Sequence, residues 1–267
     1  MSALEPQGHL AVDGARLEYR WLAPSRPGLP ALVLLHEGLG CVALWKDFPD
    51  RLAAATGAGV LVYSRAGYGR SSPVEVPRPL TYMHDEGRRV LPRLLDAAGL
   101  REVVLLGHSD GGSIALVHAG GADPAGRVKG AVTFAAHVLC EDLSVKSIAE
   151  ARLAYLDGDL RQRLMRLHGD NVDCAFWGWN RAWLDPGFRE WNLEEFLPGI
   201  RVPLLVVQGK DDQYGTEEQV HRIVRGAGGP TEALLLDACG HSPHRDQPEK
   251  ALQAVVGFFA RVTAPPK

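Results

Sequence analysis

Short, almost wholly apolar runs alternate with longer helical patterns, and this alternation limits the fold more than any other feature of the chain. The apolar runs are residues 31–37, 59–65, 103–109, 128–137, 202–210 and 231–239. The helical patterns lie near residues 44–56, 80–99, 111–121, 216–226 and 246–261. Strands that are apolar on both sides must be covered on both sides, and strands separated by helices pair in parallel. The pattern predicts an α/β domain with a mostly parallel, twisted sheet and helices on both faces.

Two segments of the chain depart from this alternation: the N-terminal segment and the long connection after the sixth strand. Asp13-Gly14 separates two alternating segments, which predicts an opening antiparallel hairpin. Residues 139–198 then separate the sixth strand from the seventh, have helical patterns and carry four tryptophans: Trp177, Trp179, Trp183 and Trp191. Insertions of this length are usually functional. We therefore predict a helical cap at 139–198 and a core domain formed by 1–138 and 199–267.

Composition excludes several classes of function. The 29 Lys and Arg nearly balance the 32 Asp and Glu, and no basic run occurs, which argues against nucleic-acid binding and a polybasic membrane patch. We find no secretory signal and no apolar run long enough to span a bilayer. The four cysteines are far apart and form no Cys-x-x-Cys pair, which indicates reduced thiols and no metal site. We expect a cytoplasmic protein that needs no cofactor and whose partner is a small-molecule substrate.

Residues 107–111, Gly-His-Ser-Asp-Gly, match the pattern G-x-S-x-G between a predicted strand and a predicted helix. In this context Ser109 takes an unfavourable backbone conformation, and the flanking glycines remove side chains that would collide in the turn. The turn lifts the hydroxyl of Ser109 above the sheet. A serine hydroxyl is a poor nucleophile alone, so it needs a base and an acid that orients the base.

Candidates for both partners follow later strands. Asp211 and Asp212 come directly after the run 202–210, and His241 follows the run 231–239. All would lie with Ser109 at the carboxyl ends of parallel strands, where open α/β sheets place their sites. The chain order serine, acid, histidine is the one expected for this architecture.

With these residues in place, the sequence resembles the α/β-hydrolase family over nearly its whole length. Besides the serine turn, LLHEGLG resembles the family's oxyanion segment, SRAGYGRSS its R-x-G-x-G-x-S turn, and GHSPHRDQPE its histidine loop. The resemblance implies the α/β-hydrolase fold and an esterase-like or lactonase-like enzyme. It implies Ser109 as nucleophile, His241 as general base and then acid, and Asp212 as the orienting carboxylate.

Two alternatives for the acid remain open at this stage. The family usually spaces the acid as G-x-x-D, which from Gly209 favours Asp212 over Asp211. Some relatives carry the acid after the strand that precedes the cap, which would indicate Glu141 or Asp142.

The resemblance also implies an oxyanion hole formed by the backbone N–H groups of Gly38 and Asp110, with Leu39 as second choice to Gly38. The family usually has His-Gly where this chain has His36-Glu37, so Glu37 is either a tolerated turn variant or a residue that faces the site. The side chain of Asp110 is expected to cap the helix that it begins.

A few polar and aromatic residues complete the candidate site. Glu37, Leu39, Trp177 and Trp183 are candidates for substrate binding, because large pockets favour apolar and aromatic walls. We expect His36, His108, His244, Arg65 and Arg70 to support loops.

The predicted reaction is hydrolysis of a small ester-like or lactone-like substrate with an apolar or aromatic portion, through an acyl-enzyme. Relatives that cleave epoxides or carbon–halogen bonds place an aspartate where Ser109 stands. A carbon–carbon hydrolase is an alternative, although His241 is followed by Ser-Pro-His rather than a tryptophan-containing stretch. An aminopeptidase with acidic cap residues (Glu190, Glu194 or Glu195) and a non-catalytic small-molecule-binding homologue are the others.

Overall fold

A computed structural model describes residues 4–121, 123 and 125–264. Within these ranges eight strands form one sheet: β1 (Gln7–Val12), β2 (Ala15–Leu22), β3 (Ala31–Leu35), β4 (Val60–Tyr63), β5 (Val103–His108), β6 (Val128–Phe134), β7 (Leu204–Gly209) and β8 (Thr231–Leu236). Their spatial order is β1-β2-β4-β3-β5-β6-β7-β8. The pairs β1–β2 and β2–β4 are antiparallel, and the other five pairs are parallel. The mostly parallel sheet is as predicted.

The opening hairpin is also confirmed. β1 and β2 pair from Gln7–Arg20 to Val12–Ala15. Asp13 and Gly14 both have positive φ, 52° and 81°. A two-residue turn with positive φ at both positions matches the twist of the flanking strands, which is why an Asp-Gly pair serves here.

Alternate residues of each central strand enter two different cores. In β3, Val33 and Leu35 pack into one core, and Leu32 and Leu34 pack into the other. The helices that cover the sheet and form the β6–β7 connection are α1 (Phe48–Thr56), α2 (Tyr82–Asp85), α3 (Leu91–Ala97), α4 (Asp110–Gly121), α5 (Asp142–Leu156), α6 (Leu160–His168), α7 (Val172–Trp183), α8 (Glu217–Gly226), α9 (Pro243–Asp246) and α10 (Pro248–Val262). Helices α1 and α10 pack into one core, and α3, α4 and α8 into the other, so both faces are covered as predicted.

The connection between β6 and β7 is helical, as its sequence pattern predicts. It consists of α5, α6, α7 and three short 3₁₀ segments: Gly169–Asn171, Pro186–Glu190 and Glu194–Gly199. Tyr155 of α5 stacks on Phe176 of α7 with ring centroids 3.6 Å apart. The side-chain amide of Asn180 donates to the carbonyl of Ile148, which ties α7 to α5. The connection therefore has packing contacts of its own.

Membrane-spanning helices and metal clusters were sought throughout the part of the chain that the structure describes. None of its helices combines the length and apolar character that crossing a bilayer requires. Nor does any group of three or more His, Cys, Asp or Glu side chains in these ranges have an arrangement suited to a metal ion.

Candidate active site

Ser109 lies in the sharp turn between β5 and α4. Its φ of 51° is in the left-handed region, which costs a residue with a Cβ on the order of 1 kcal/mol. A Cβ on Gly107 would overlap the backbone of Gly111, and a Cβ on Gly111 would overlap the carbonyl of Leu35. The glycines of the motif are therefore required by close backbone contacts that hold Ser109 in this conformation.

His241 and Asp212 form a hydrogen-bonded pair beyond the carboxyl ends of β8 and β7. The Nδ1 atom of His241 lies 2.9 Å from both carboxylate oxygens of Asp212. The carboxylate also accepts from the backbone N–H of Tyr214 and the side-chain amide of Gln208, both at 2.8 Å. Since an ionised carboxylate only accepts, the proton of the imidazole lies on Nδ1, and Nε2 is left as the basic nitrogen.

The surroundings of Asp212 keep it ionised. Burial alone would raise the pKa of Asp212, but the charge and hydrogen bond of His241 and the N–H of Tyr214 lower the pKa below its ordinary value. The carboxylate is therefore suited to stabilise an imidazolium on His241.

The other acids considered from the sequence form no hydrogen bond with His241 within the described residues. Asp211 is exposed. Glu141 accepts hydrogen bonds from Thr216 at the start of α8, and Asp142 forms an ion pair with an arginine of the same connection. Of the four acids considered, Asp212 is therefore the one that contacts His241.

Ser109 and His241 line the same cavity. Within the described residues no hydrogen bond joins the hydroxyl of Ser109 to His241, whereas His241 is bound to Asp212. Serine–histidine contacts are often long before substrate binds and tighten in the complex. The structure thus brings Ser109, His241 and Asp212 to the same end of the sheet. The hydrogen bond between His241 and Asp212 is formed, and the one between Ser109 and His241 is not.

The two N–H groups expected to form an oxyanion hole are available. Neither Gly38 nor Asp110 donates its backbone N–H to a protein acceptor within the described ranges, and the same holds for Leu39. Gly38 lies against the indole of Trp179, which a Cβ at this position would overlap. Gly38 is therefore required by its packing against Trp179.

The loop 36–40 is held by side chains from two other parts of the chain. The guanidinium of Arg65, 1% exposed, donates to the carbonyls of His36 and Glu37. From α6, His168 donates through Nε2 to the carbonyl of Leu39 at 3.0 Å, while its Nδ1 accepts a backbone N–H at 3.0 Å. Arg65 therefore supports the loop 36–40, and His168 is a second support that the sequence did not indicate.

The side chain of Asp110 corrects an expectation. It does not cap its helix: Oδ2 accepts from the hydroxyl of Tyr82 at 2.5 Å and lies 3.8 Å from the guanidinium of Arg65. Burial raises the pKa of Asp110, and Arg65 opposes that rise. A fully buried carboxylate needs a cation and a donor close by, and here Arg65 and Tyr82 provide them.

Glu37 forms an ion pair with His108. Its Oε2 lies 3.4 Å from His108 Nδ1, and His108 Nε2 is 2.7 Å from the backbone carbonyl of His241. Burial alone would lower the pKa of His108, but Glu37 raises it above its ordinary value. Burial would likewise raise the pKa of Glu37, and His108 lowers it. The pair connects the loop 36–40 to the backbone of His241.

The cavity has a volume of about 160 Å³, and both polar and apolar residues line it. Its lining residues are Glu37, Gly38, Leu39, His108, Ser109, His137, Ser144, Ile148, Trp179, Trp183, Gln213, Tyr214, His241 and Ser242. Of the four residues predicted to bind substrate, Glu37, Leu39 and Trp183 are in this wall. Trp177 is not: it packs edge-on against Tyr155 and Phe176.

Several lining residues were not singled out from the sequence. Trp179 is two positions from Trp177 on α7, and helical periodicity alone did not decide which of them faces the cavity. His137 follows β6 at the carboxyl edge of the sheet, so its position was a usable signal. Ser144, Ile148, Gln213 and Tyr214 carry no pattern that would have marked them.

The remaining polar candidates lie outside the cavity. His244 is buried against the rings of Trp45 and Phe134. Glu194 pairs with Arg222 of α8. Neither Glu190 nor Glu195 lines the cavity. The acidic residues of the connection therefore provide no carboxylate to this site.

Two buried histidines are expected to make the protein sensitive to mild acid. Burial lowers the pKa of His137, with help from the charge of His241, and the pKa of His244, with help from His108, to about 3 in each case. In the unfolded chain both titrate near 6.5, so the unfolded state binds more protons between these values. Stability should therefore fall as pH falls below about 6.5, by about 1.4 kcal/mol per pH unit for each histidine.

Urea unfolding between pH 7 and pH 5 measures this slope. His108 does not add to the loss of stability at low pH, because its raised pKa makes its contribution complete below about 6.5, and that contribution is lost as pH rises above this value. His244→Phe, whose ring suits the surrounding aromatic residues, should reduce the slope by one proton. An unchanged slope in His244→Phe would contradict the assignment.

Comparison with known proteins defines the class. A profile described as the alpha/beta hydrolase family matches residues 32–254. This match spans most of the chain, and the chain belongs to the alpha/beta hydrolase family.

Individual relatives share a low sequence identity with this chain. The proline iminopeptidase of Lactobacillus helveticus is 23% identical over 271 aligned residues, covering 88% of this chain and 91% of that protein. The enol-lactonase of Burkholderia xenovorans superposes with a TM-score of 0.69 at 22% identity, covering 94% and 99% of the two chains. The proline iminopeptidase of Mycobacterium smegmatis superposes with a TM-score of 0.71 at 17% sequence identity, covering 96% of this chain and 98% of that chain. These structural likenesses establish the fold.

Proposed function

We propose that this protein is a serine hydrolase in which Ser109 is the nucleophile, His241 the general base and Asp212 the orienting carboxylate. The observation that carries the proposal is the His241–Asp212 pair at 2.9 Å, in which His241 lines the same cavity as a serine held at positive φ. A strained serine opposite an oriented imidazole is the arrangement that nucleophilic catalysis requires.

The reaction follows from these positions. His241 Nε2 takes the proton of Ser109 as the hydroxyl attacks the carbonyl carbon, and the resulting oxyanion accepts from the N–H groups of Gly38 and Asp110. His241 then gives the proton to the leaving oxygen, which leaves an acyl-enzyme. Water, deprotonated by His241, then attacks the acyl carbon. The bond from that carbon to Ser109 Oγ breaks, His241 returns the proton to Oγ, and the acid is released.

The cavity supports a small ester-like or lactone-like substrate. About 160 Å³ suits a short acyl or ring portion, and Trp179, Trp183 and Ile148 provide apolar surface for it. We propose that residues 139–198 act as a cap, because α5 and α7 supply these side chains.

An aminopeptidase is the second candidate, favoured by the similarity to proline iminopeptidases over most of the chain. A free amino terminus needs a carboxylate at the site. The lining residues include one acid, Glu37, and it is paired with His108. This arrangement favours the ester or lactone.

A fluorophosphonate probe with mass-spectrometric mapping tests the proposal. Ser144 and Ser242 line the same cavity, so they serve as internal controls. We expect the label on Ser109 alone and none in Ser109→Ala. Absence of labelling, together with no turnover of p-nitrophenyl esters, lactones or proline p-nitroanilide, would favour a binding protein. Faster turnover of the anilide than of the esters would favour the aminopeptidase.

A further inference from the structure

His137 is a buried imidazole in the cavity wall that the proposed reaction does not use. It is 2% exposed, and neither ring nitrogen forms a hydrogen bond within the described part of the chain. Its Nδ1 is fully occluded, whereas Nε2 keeps accessible surface, and the residue lines the cavity beside Ser109. A buried polar group without a partner is costly, so its place in a substrate cavity calls for an explanation.

The ring is held in position without using its nitrogens. The backbone N–H of His137 donates to the hydroxyl of Ser113 at 3.2 Å, and that hydroxyl donates to the carbonyl of His137 at 2.6 Å. The ring lies edge-on to Trp183, with centroids 5.2 Å apart, and 5.8 Å from the ring of His241. Ser113 is on α4, the helix that directly follows Ser109. The backbone of His137 is therefore hydrogen-bonded to the same helix that follows the proposed nucleophile.

The charge state of His137 limits what it can recognise. Burial and the neighbouring His241 lower the pKa of His137 to about 3, so the ring is neutral at ordinary pH. A neutral imidazole forms no ion pair, and a charged substrate group would be buried beside it without a counter-charge. A hydroxyl group suits either tautomer, because it can donate to an unprotonated Nε2 or accept from a protonated one. A carbonyl suits only one tautomer.

We propose that His137 is a specificity-determining residue that hydrogen-bonds, through Nε2, a hydroxyl group on the acyl or alcohol portion of the ester substrate. The inference rests on the proposed hydrolase function and names a substrate class for it: hydroxylated small esters.

The test compares matched pairs of esters by acid release at constant pH. On the acyl side the pairs are methyl butyrate with methyl 2-hydroxybutyrate and with methyl 3-hydroxybutyrate. On the alcohol side the pair is ethyl butyrate with 2-hydroxyethyl butyrate. For at least one pair, the wild type should have a kcat/KM about tenfold higher for the hydroxylated ester. His137→Phe should bring this ratio to about 1, because phenylalanine fills the space without a polar atom.

Two controls keep the result interpretable. His137→Gln retains a donor and an acceptor and should keep part of the preference. Fluorophosphonate labelling of Ser109 shows that each variant is folded and that the proposed function holds. With labelling intact, the absence of any hydroxyl preference in the wild type would overturn the inference. So would an equal loss in His137→Phe on both members of a pair, since that is the result of a structural role. Failure of labelling in the wild type would instead count against the hydrolase itself.

Discussion

Ser109→Ala is expected to lower kcat for ester hydrolysis by about 10⁶-fold. The substitution removes the only atom that can form the acyl-enzyme in the proposed mechanism, while the oxyanion N–H groups of Gly38 and Asp110 stay in place. Alanine also tolerates the positive φ at this position no worse than serine does, so the turn should be kept. Burst and steady-state kinetics with a p-nitrophenyl ester measure the effect.

Ser242→Ala is the matched control for that experiment. Ser242 lines the same cavity and follows His241 directly, but has no place in the proposed chemistry. Its activity should stay within about tenfold of the wild type, a range that allows for one lost hydrogen bond. If Ser109→Ala kept more than a small fraction of wild-type turnover, another residue would be the nucleophile.

Asp212→Asn is expected to lower kcat by about 10⁴-fold with little change in the fold. Tyr214 N–H would hold the amide oxygen at the Oδ1 position, which places the amide NH₂ at the Oδ2 position, where it loses the hydrogen bond that Gln208 donates to Oδ2. The NH₂ group would then face His241 Nδ1 and favour the tautomer with its proton on Nε2. In that tautomer Nε2 cannot accept the proton of Ser109, so the base is lost.

Asp211→Asn provides the comparison, because Asp211 is the adjacent acid and is exposed. It should retain nearly full kcat and unfold near the wild-type urea concentration at neutral pH, whereas Asp212→Asn should unfold at a lower urea concentration because it loses the hydrogen bond from Gln208. A larger loss of kcat in Asp211→Asn than in Asp212→Asn would show that the structure has assigned the wrong acid.

Most of the fold could be predicted from local sequence patterns. The apolar runs predicted β3 to β8 within a few residues. For β3 to β7 the reason is that a strand buried on both faces leaves a continuous apolar signature, whereas the edge strand β8 is partly exposed. Asp13-Gly14 predicted the hairpin, because few other residue pairs accept two positive φ values in succession. In each case the signal lies within the segment that it predicts.

The candidate site was predictable where its residues follow strands. Ser109, Asp212 and His241 each come just after an apolar run, and a parallel sheet brings such positions to one edge. The choice between Asp212 and Asp211 depended on a resemblance in spacing. The structure adds a physical ground for it, since only Asp212 receives the converging donors.

The sequence by itself therefore determined the sheet, the serine turn and the edge where the candidate residues gather, because periodicity and turn chemistry act within a few residues. Only the tertiary structure decided how buried charges are paired, that Asp110 turns to Tyr82 and Arg65, and that Glu37 meets His108. It also decided that Trp179 rather than Trp177 faces the cavity, with the unpartnered His137. These arrangements depend on contacts between residues far apart in the chain. A buried polar group must regain by contact with a partner what it loses when water is removed, and packing determines which partner lies near it.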